Sequence, residues 1–69
     1  MEIRTEMAGS LWKLFVNEGT SITKGQDIAI LESMKMEIPV TAKTSGTVKK
    51  IKHIEGEFLN EGDIIAIIE

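Results

Sequence analysis

Glu32-Ser33-Met34-Lys35-Met36-Glu37 sets one primary amine between two methionines, with a carboxylate on either side. A lysine Nζ that has lost its proton attacks activated carbonyls and keeps the product as an amide, so the chemistry on offer is acylation of the chain itself. At pH 7 an ordinary lysine is neutral in only about one molecule in 2,500. No base stands beside Lys35 in the sequence, and the single histidine, His53, lies in the other half of the chain. Deprotonation is therefore work for a second protein, and Lys35 reads as a substrate, not a catalyst.

No other group competes for a chemical role. The chain has no cysteine, which removes disulfides, thiolate nucleophiles and cysteine-bound zinc or iron–sulfur centres together. One histidine without a second ligand at metal-binding spacing leaves no expected metal site, and His53 reads as structural. No nucleophile–base pair or acidic dyad is suggested by position, so no catalytic residue is expected. The 69 residues make one small domain over 1–69, with little room for an enclosed active-site cavity.

The elements that must position Lys35 come in two copies. Glycines at 9, 19 and 25 recur at 46, 56 and 62, an offset of 37 that also matches Lys13 with Lys50, Glu18 with Glu55 and Ile28-Ala29-Ile30 with Ile65-Ala66-Ile67. Nine of the 24 pairs between Gly9–Glu32 and Gly46–Glu69 are identical, and only Ser33–Glu37 has no counterpart. Short runs of β-branched and large apolar residues punctuated by glycine predict an all-β chain. The expected strands are Glu2–Met7, Leu11–Val16, Asp27–Glu32, Met36–Thr41, Thr47–His53 and Asp63–Ile68, with brief pieces at Ser21–Thr23 and Glu57–Leu59.

One such half leaves an apolar face uncovered, so the two halves are expected to pack face to face. The result is a flattened β-barrel or sandwich of two pseudo-twofold-related halves, each of about four short strands. Leu11, Leu14 and Val16 change apolar phase along one strand, and Val48 and Ile51 repeat the first step, which predicts a bulge. Pro39, the one proline, suits an edge strand that can spare its donor.

In that frame the unmatched segment is a hairpin whose turn centre is Met34-Lys35. Asn-Gly or Asp-Gly is the usual choice for a two-residue hairpin turn, and lysine has no preference for positive φ. Methionines also gain little at an exposed tip. Local stability does not explain these residues, whereas presenting an amine framed by two flexible, polarizable side chains does. Six other lysines, Lys13, Lys24, Lys43, Lys49, Lys50 and Lys52, lie on strands and loops, so an enzyme that modifies one must read position and shape.

The segment Glu32–Glu37 resembles the acceptor motif of the biotinyl/lipoyl attachment domain family, Glu-(Ala or Ser)-Met-Lys-Met, with Lys35 at the acceptor position. Glu18-Gly19, Lys24-Gly25-Gln26, Glu55-Gly56 and Glu61-Gly62-Asp63 are similar to the family's glycine-punctuated repeats, so the resemblance covers the chain. Its length and the run Met7–Lys13 look most like the small free-standing members of biotin carboxyl carrier type. The resemblance implies a barrel-sandwich hybrid with the acceptor lysine on an exposed hairpin. It also implies a carrier, not an enzyme: biotin joined covalently to Lys35, with Met34, Met36, Glu32 and Glu37 read by the ligase. The implied partners are a biotin protein ligase and the biotin carboxylase and carboxyltransferase subunits or domains of a carboxylase. Lipoate, with a lipoyl ligase, is the alternative, although lipoyl domains typically carry Asp-Lys-Ala where this chain has Met-Lys-Met. The prolines many members have near Met7-Ala8-Gly9 and Lys43–Gly46 are absent here, and so is the thumb insertion of some bacterial carriers.

A net charge of −3 opposes general nucleic-acid binding, and the cluster Lys49, Lys50, Lys52 reads as a solvated surface with Lys49 on the face opposite the other two. No segment approaches the roughly 20 apolar residues of a membrane span, and acidic residues stand where an export signal needs basic ones. A cytoplasmic location is expected. Trp12 aligns with Lys49 across the repeat, so it should point outward, and alone it reads as packing. The class-level alternative is a small β-barrel interaction module with an unmodified Lys35.

Overall fold

Alternating apolar residues separated by glycine turns produce eight short strands and no helix. The computed structural model describes residues 1–69. The strands are β1 (Glu2–Arg4), β2 (Gly9–Leu14), β3 (Ser21–Ile22), β4 (Asp27–Ser33), β5 (Met36–Thr41), β6 (Gly46–Ile51), β7 (Phe58–Leu59) and β8 (Ile64–Ile68). They form two four-stranded antiparallel sheets, β1-β8-β6-β3 and β5-β4-β2-β7. Shifting by 37 positions turns one sheet order into the other, so the sequence repeat is a structural pseudo-twofold.

The halves interlock where simple face-to-face packing was expected. Each sheet takes its inner pair from one half and its edges from the other. The cause is the hairpin: a two-residue connection forces β5 antiparallel beside β4, so the second half supplies an edge of the first half's sheet. Its counterpart is β1 beside β8, closed by bonds from Met1 N to Ile68 O at 2.7 Å and from Ile68 N to Met1 O at 2.6 Å.

Thirteen buried apolar residues form one cluster between the sheets, with Leu11, Ile28, Leu31, Leu59 and Ile65 the largest fully buried side chains. The predicted bulge is present: the β2–β4 register slips between Leu11 and Lys13, and β6–β8 slips between Val48 and Lys50. Alternation past an inward Leu11 or Val48 turns Trp12 and Lys49 outward, and each slip leaves the next residue, Lys13 or Lys50, outward as well. Lys49 and Lys50 are consequently both exposed, instead of alternating across the strand. Leu14 N donates to Glu55 Oε2 at 2.8 Å, and its mate Ile51 N donates to Glu18 Oε2 at 3.2 Å. That exchange gives the matched glutamates a structural role.

Several strand ends differ from expectation. β1 stops at Arg4 because Thr5, 2% exposed, turns the chain with its hydroxyl donating to Met7 O at 2.6 Å. β2 begins at Gly9 and β6 at Gly46, where a side chain would collide: a Cβ at Gly9 would lie 2.8 Å from Glu32 O, and one at Gly46 2.8 Å from Glu69 O. Pro39 sits on β5, an edge strand, as its missing donor requires.

Candidate functional site

β4 and β5 are the longest paired strands, in unbroken register from Ala29↔Val40 to Ser33↔Met36 after a slip between Asp27 and Ala29, and they close on Met34-Lys35 as a two-residue turn. Both turn residues have positive φ, 53° at Met34 and 63° at Lys35. Two positive φ values match the right-handed strand twist, which is why such turns favour Asn-Gly. For side chains with a Cβ the left-handed region costs roughly 1–2 kcal/mol per residue. The rigid hairpin below holds the turn in that state.

The same geometry lifts the amine clear of the body. Met34 is 91% and Met36 62% exposed, and Lys35 is exposed between them. Lys35 takes part in neither ion pair, Arg4–Glu2 or Lys43–Glu6, and the third close contact is between His53 and Glu57. Glu32 and Glu37 are exposed and stand directly opposite each other, one row below Ser33↔Met36. The five residues singled out from the sequence are therefore together on one hairpin. Gly9 fixes its root, since β2 approaches the Glu32 carbonyl too closely for any other residue.

His53 is not part of this group. It lies between β6 and β7, with Nδ1 3.6 Å from Glu57 Oε2 and no hydrogen-bond partner. Glu57 accepts from Ile54 N at 2.7 Å, and that bond, opposed by desolvation and helped by His53, holds its carboxyl below the usual range. A groove of about 290 Å³ runs between the edge strands β1 and β5, lined by Ile3, Leu31, Ile38 and Val40 among others, and it includes no residue of Glu32–Glu37. The sequence reading passed over Gly9 as a support and Phe58 as a neighbour, two strands across from Glu32 through Ser10. The signal for Phe58 was its alignment with polar Ser21 across the repeat.

An exposed, unpaired amine on a strained and rigid tip can be acylated without disturbing the core. The arrangement places no base beside the amine and no enclosure around it. A group tethered there would reach outward from the sheets.

The family described as "Biotin-requiring enzyme", covering biotin and lipoyl attachment, matches residues 1–68. A biotin/lipoyl attachment protein of Bacillus subtilis (strain 168) is 57% identical over 65 residues, covering 94% of this chain and 89% of its own. A chain of Mycobacterium leprae (strain TN), named as a homologue of the biotinylated protein TB7.3, is 43% identical over 67 residues, covering 97% and 94%. Among solved structures, the Kluyveromyces lactis urea carboxylase superposes with a TM-score of 0.91 at 35% identity over the whole of this chain, which spans only 6% of that enzyme.

Proposed function

Because the chain belongs to the biotin/lipoyl attachment domain family, we propose that Lys35 is its acceptor and that residues 1–69 act as a biotin carrier. The observation that carries this reading is the tip itself: an exposed lysine with no partner, held at a φ of 63° that glycine would adopt more cheaply. A ligase first activates the biotin carboxyl as an adenylate. Nζ of Lys35, deprotonated by the ligase, attacks that carbonyl; the C–N amide bond forms, AMP leaves with the bonding pair, and the amine gives up its remaining extra proton.

The chain's own contribution is positional. The β4–β5 register fixes where Nζ stands, while Met34, Met36, Glu32 and Glu37 offer the ligase features that the other six lysines lack. Attached there, biotin supplies a ring nitrogen that takes up and releases a carboxyl group. Tethering keeps it at high effective concentration near successive sites, which belong to biotin carboxylase and carboxyltransferase units on other chains. The cytoplasm is the location this reading proposes for the carrier.

Intact-mass measurement after coexpression with a biotin protein ligase tests the assignment. One biotinyl group is expected on the wild-type chain and none on Lys35→Arg, with unchanged circular dichroism. Acylation that persists in Lys35→Arg, or a lipoyl mass in the wild type when both ligases are supplied, would overturn biotin attachment at Lys35.

A further inference from the structure

The pseudo-twofold gives every surface residue an internal control. On the outer face of the sheet β5-β4-β2-β7, Pro39 lies opposite Ile30, and Ile30 lies opposite the bulged Trp12-Lys13. One row nearer the tip, Glu37, Glu32, Ser10 and Phe58 succeed each other across the four strands. Trp12 is 43% and Phe58 64% exposed. They are diagonal neighbours across β2 and β7, within reach of each other over the small Ser10.

Their mates on the other sheet are Lys49 for Trp12, Ser21 for Phe58 and Glu2 for Pro39, all exposed. Phe15 and Ile54, on the segments beside β2 and β7, are 53% and 67% exposed, and their mates are Lys52 and Asn17. The same backbone positions thus fold with polar side chains on one sheet and carry large apolar ones on the other. Folding does not account for the difference. Scattered exposed apolar residues, such as Met1 beside β1, are ordinary, but four that are each matched by a polar residue across the repeat mark an interaction surface.

Charge indicates what covers it. Glu32 and Glu37 face each other directly, an arrangement that weakens a sheet, and neither has an ion-pair partner within the chain. The complement is a protein surface with an apolar recess beside an Arg or Lys. A second copy fits poorly: an isologous partner would present the same two carboxylates.

We infer that this face is the docking site of the ligase that acylates Lys35, with Trp12 and Phe58 as its anchors. The inference rests on the acceptor reading of Lys35. Strand rise and spacing put Phe58 about 10 Å along and about 10 Å across from the tip, so one enzyme footprint takes in both. Anchoring on the sheet discriminates Lys35 from lysines on the opposite face, because only this face combines the aromatic pair with the modified hairpin.

The test is steady-state biotinylation by a purified biotin protein ligase with the apo chain as varied substrate. Trp12→Lys with Phe58→Ser installs residues that the fold already carries at the mates, so folding is expected to survive. KM should rise about tenfold or more, with kcat within twofold, while Lys49→Ala with Ser21→Ala on the other sheet leaves both constants unchanged. An unchanged KM in the first variant, or an equal rise in the second, overturns the docking face while leaving Lys35 as acceptor. A wild-type chain that the ligase leaves unmodified overturns both. Titration of the labelled wild-type chain with ligase, followed by amide NMR, requires no variant: broadening should extend from the hairpin to Ser10–Lys13 and Phe58 and spare Thr47–Lys50 and Ser21. Broadening confined to Glu32–Glu37, or equal on both sheets, refutes the inference.

Discussion

The molecule makes sharp turns in two ways. At Asn17–Thr20, Thr23–Gln26, Ile54–Glu57 and Asn60–Asp63 the third residue is a glycine with φ between 87° and 97°. In each, the fourth residue's side chain accepts a bond of 2.7–3.0 Å from the first residue's N–H. The β4–β5 tip also needs positive φ, at two residues, yet it uses Met34 and Lys35 and no side chain closes it. A chain that solves the same backbone problem cheaply four times has kept the costly solution at one place. The difference separates turns whose residues suit the backbone from a turn whose residues the backbone does not ask for.

Exchanging the two chemistries puts the distinction to measurement. The largest effect is expected at a glycine turn: Gly56→Ala, with φ at 97° but open space around the new Cβ, isolates the backbone term and should cost about 1–3 kcal/mol. For a domain of this size that is a fall in Tm of roughly 4–8 °C per kcal/mol. A loss below a few tenths of a kcal/mol by urea unfolding would show that positive φ is cheap in this scaffold, and the tip would lose its significance.

The converse exchange should be smaller and of opposite sign. Met34→Asn with Lys35→Gly gives the tip the residues its turn prefers and should stabilise the chain by about 1–2 kcal/mol. The gain falls short of the full strain because glycine also widens the unfolded ensemble. Thermal unfolding should show a higher Tm in a chain that has lost the proposed acceptor amine. A neutral or lowered Tm would mean that Met34 and Lys35 hold their conformation without strain, and stability would then explain them.

Most of this was legible from 37-residue spacing alone. Glycine positions fixed the turns, the unmatched Ser33–Glu37 fixed the hairpin, and the three-residue step from Leu11 to Leu14 announced the bulge. What escaped was anything set by pairing between halves. The swap of edge strands follows from which strand β5 lies beside, and hydrophobic alternation is identical for either partner. Strand ends at Arg4 and Gly9 depend on the Thr5 hydroxyl and on a close approach to Glu32 O, neither of which leaves a periodic trace. The bulge was foreseen but its consequence for Lys49 and Lys50 was not, because alternation was carried through the slip.

The finest comparison is among the four glycine turns, which differ in the acceptor that closes them: Thr20, Gln26, Glu57 and Asp63. Glu57 holds its carboxyl below the ordinary 4.5 chiefly through the Ile54 N–H, with His53 adding. A folded-state pKa below the unfolded one means that the carboxylate contributes stability in full above the unfolded value and loses it as pH falls through the lowered folded value. Glu57→Gln keeps an acceptor, as Gln26 does in its own turn, but removes the titration. Its Tm should stay close to wild type at neutral pH and fall less steeply than wild type as the pH drops through and below the ordinary carboxylate value of 4.5. Because the group is exposed, the difference should be small. Parallel curves would mean that protonated Glu57 closes the turn as well as the carboxylate does, which would leave the glycine at Gly56 as the part of the turn that matters.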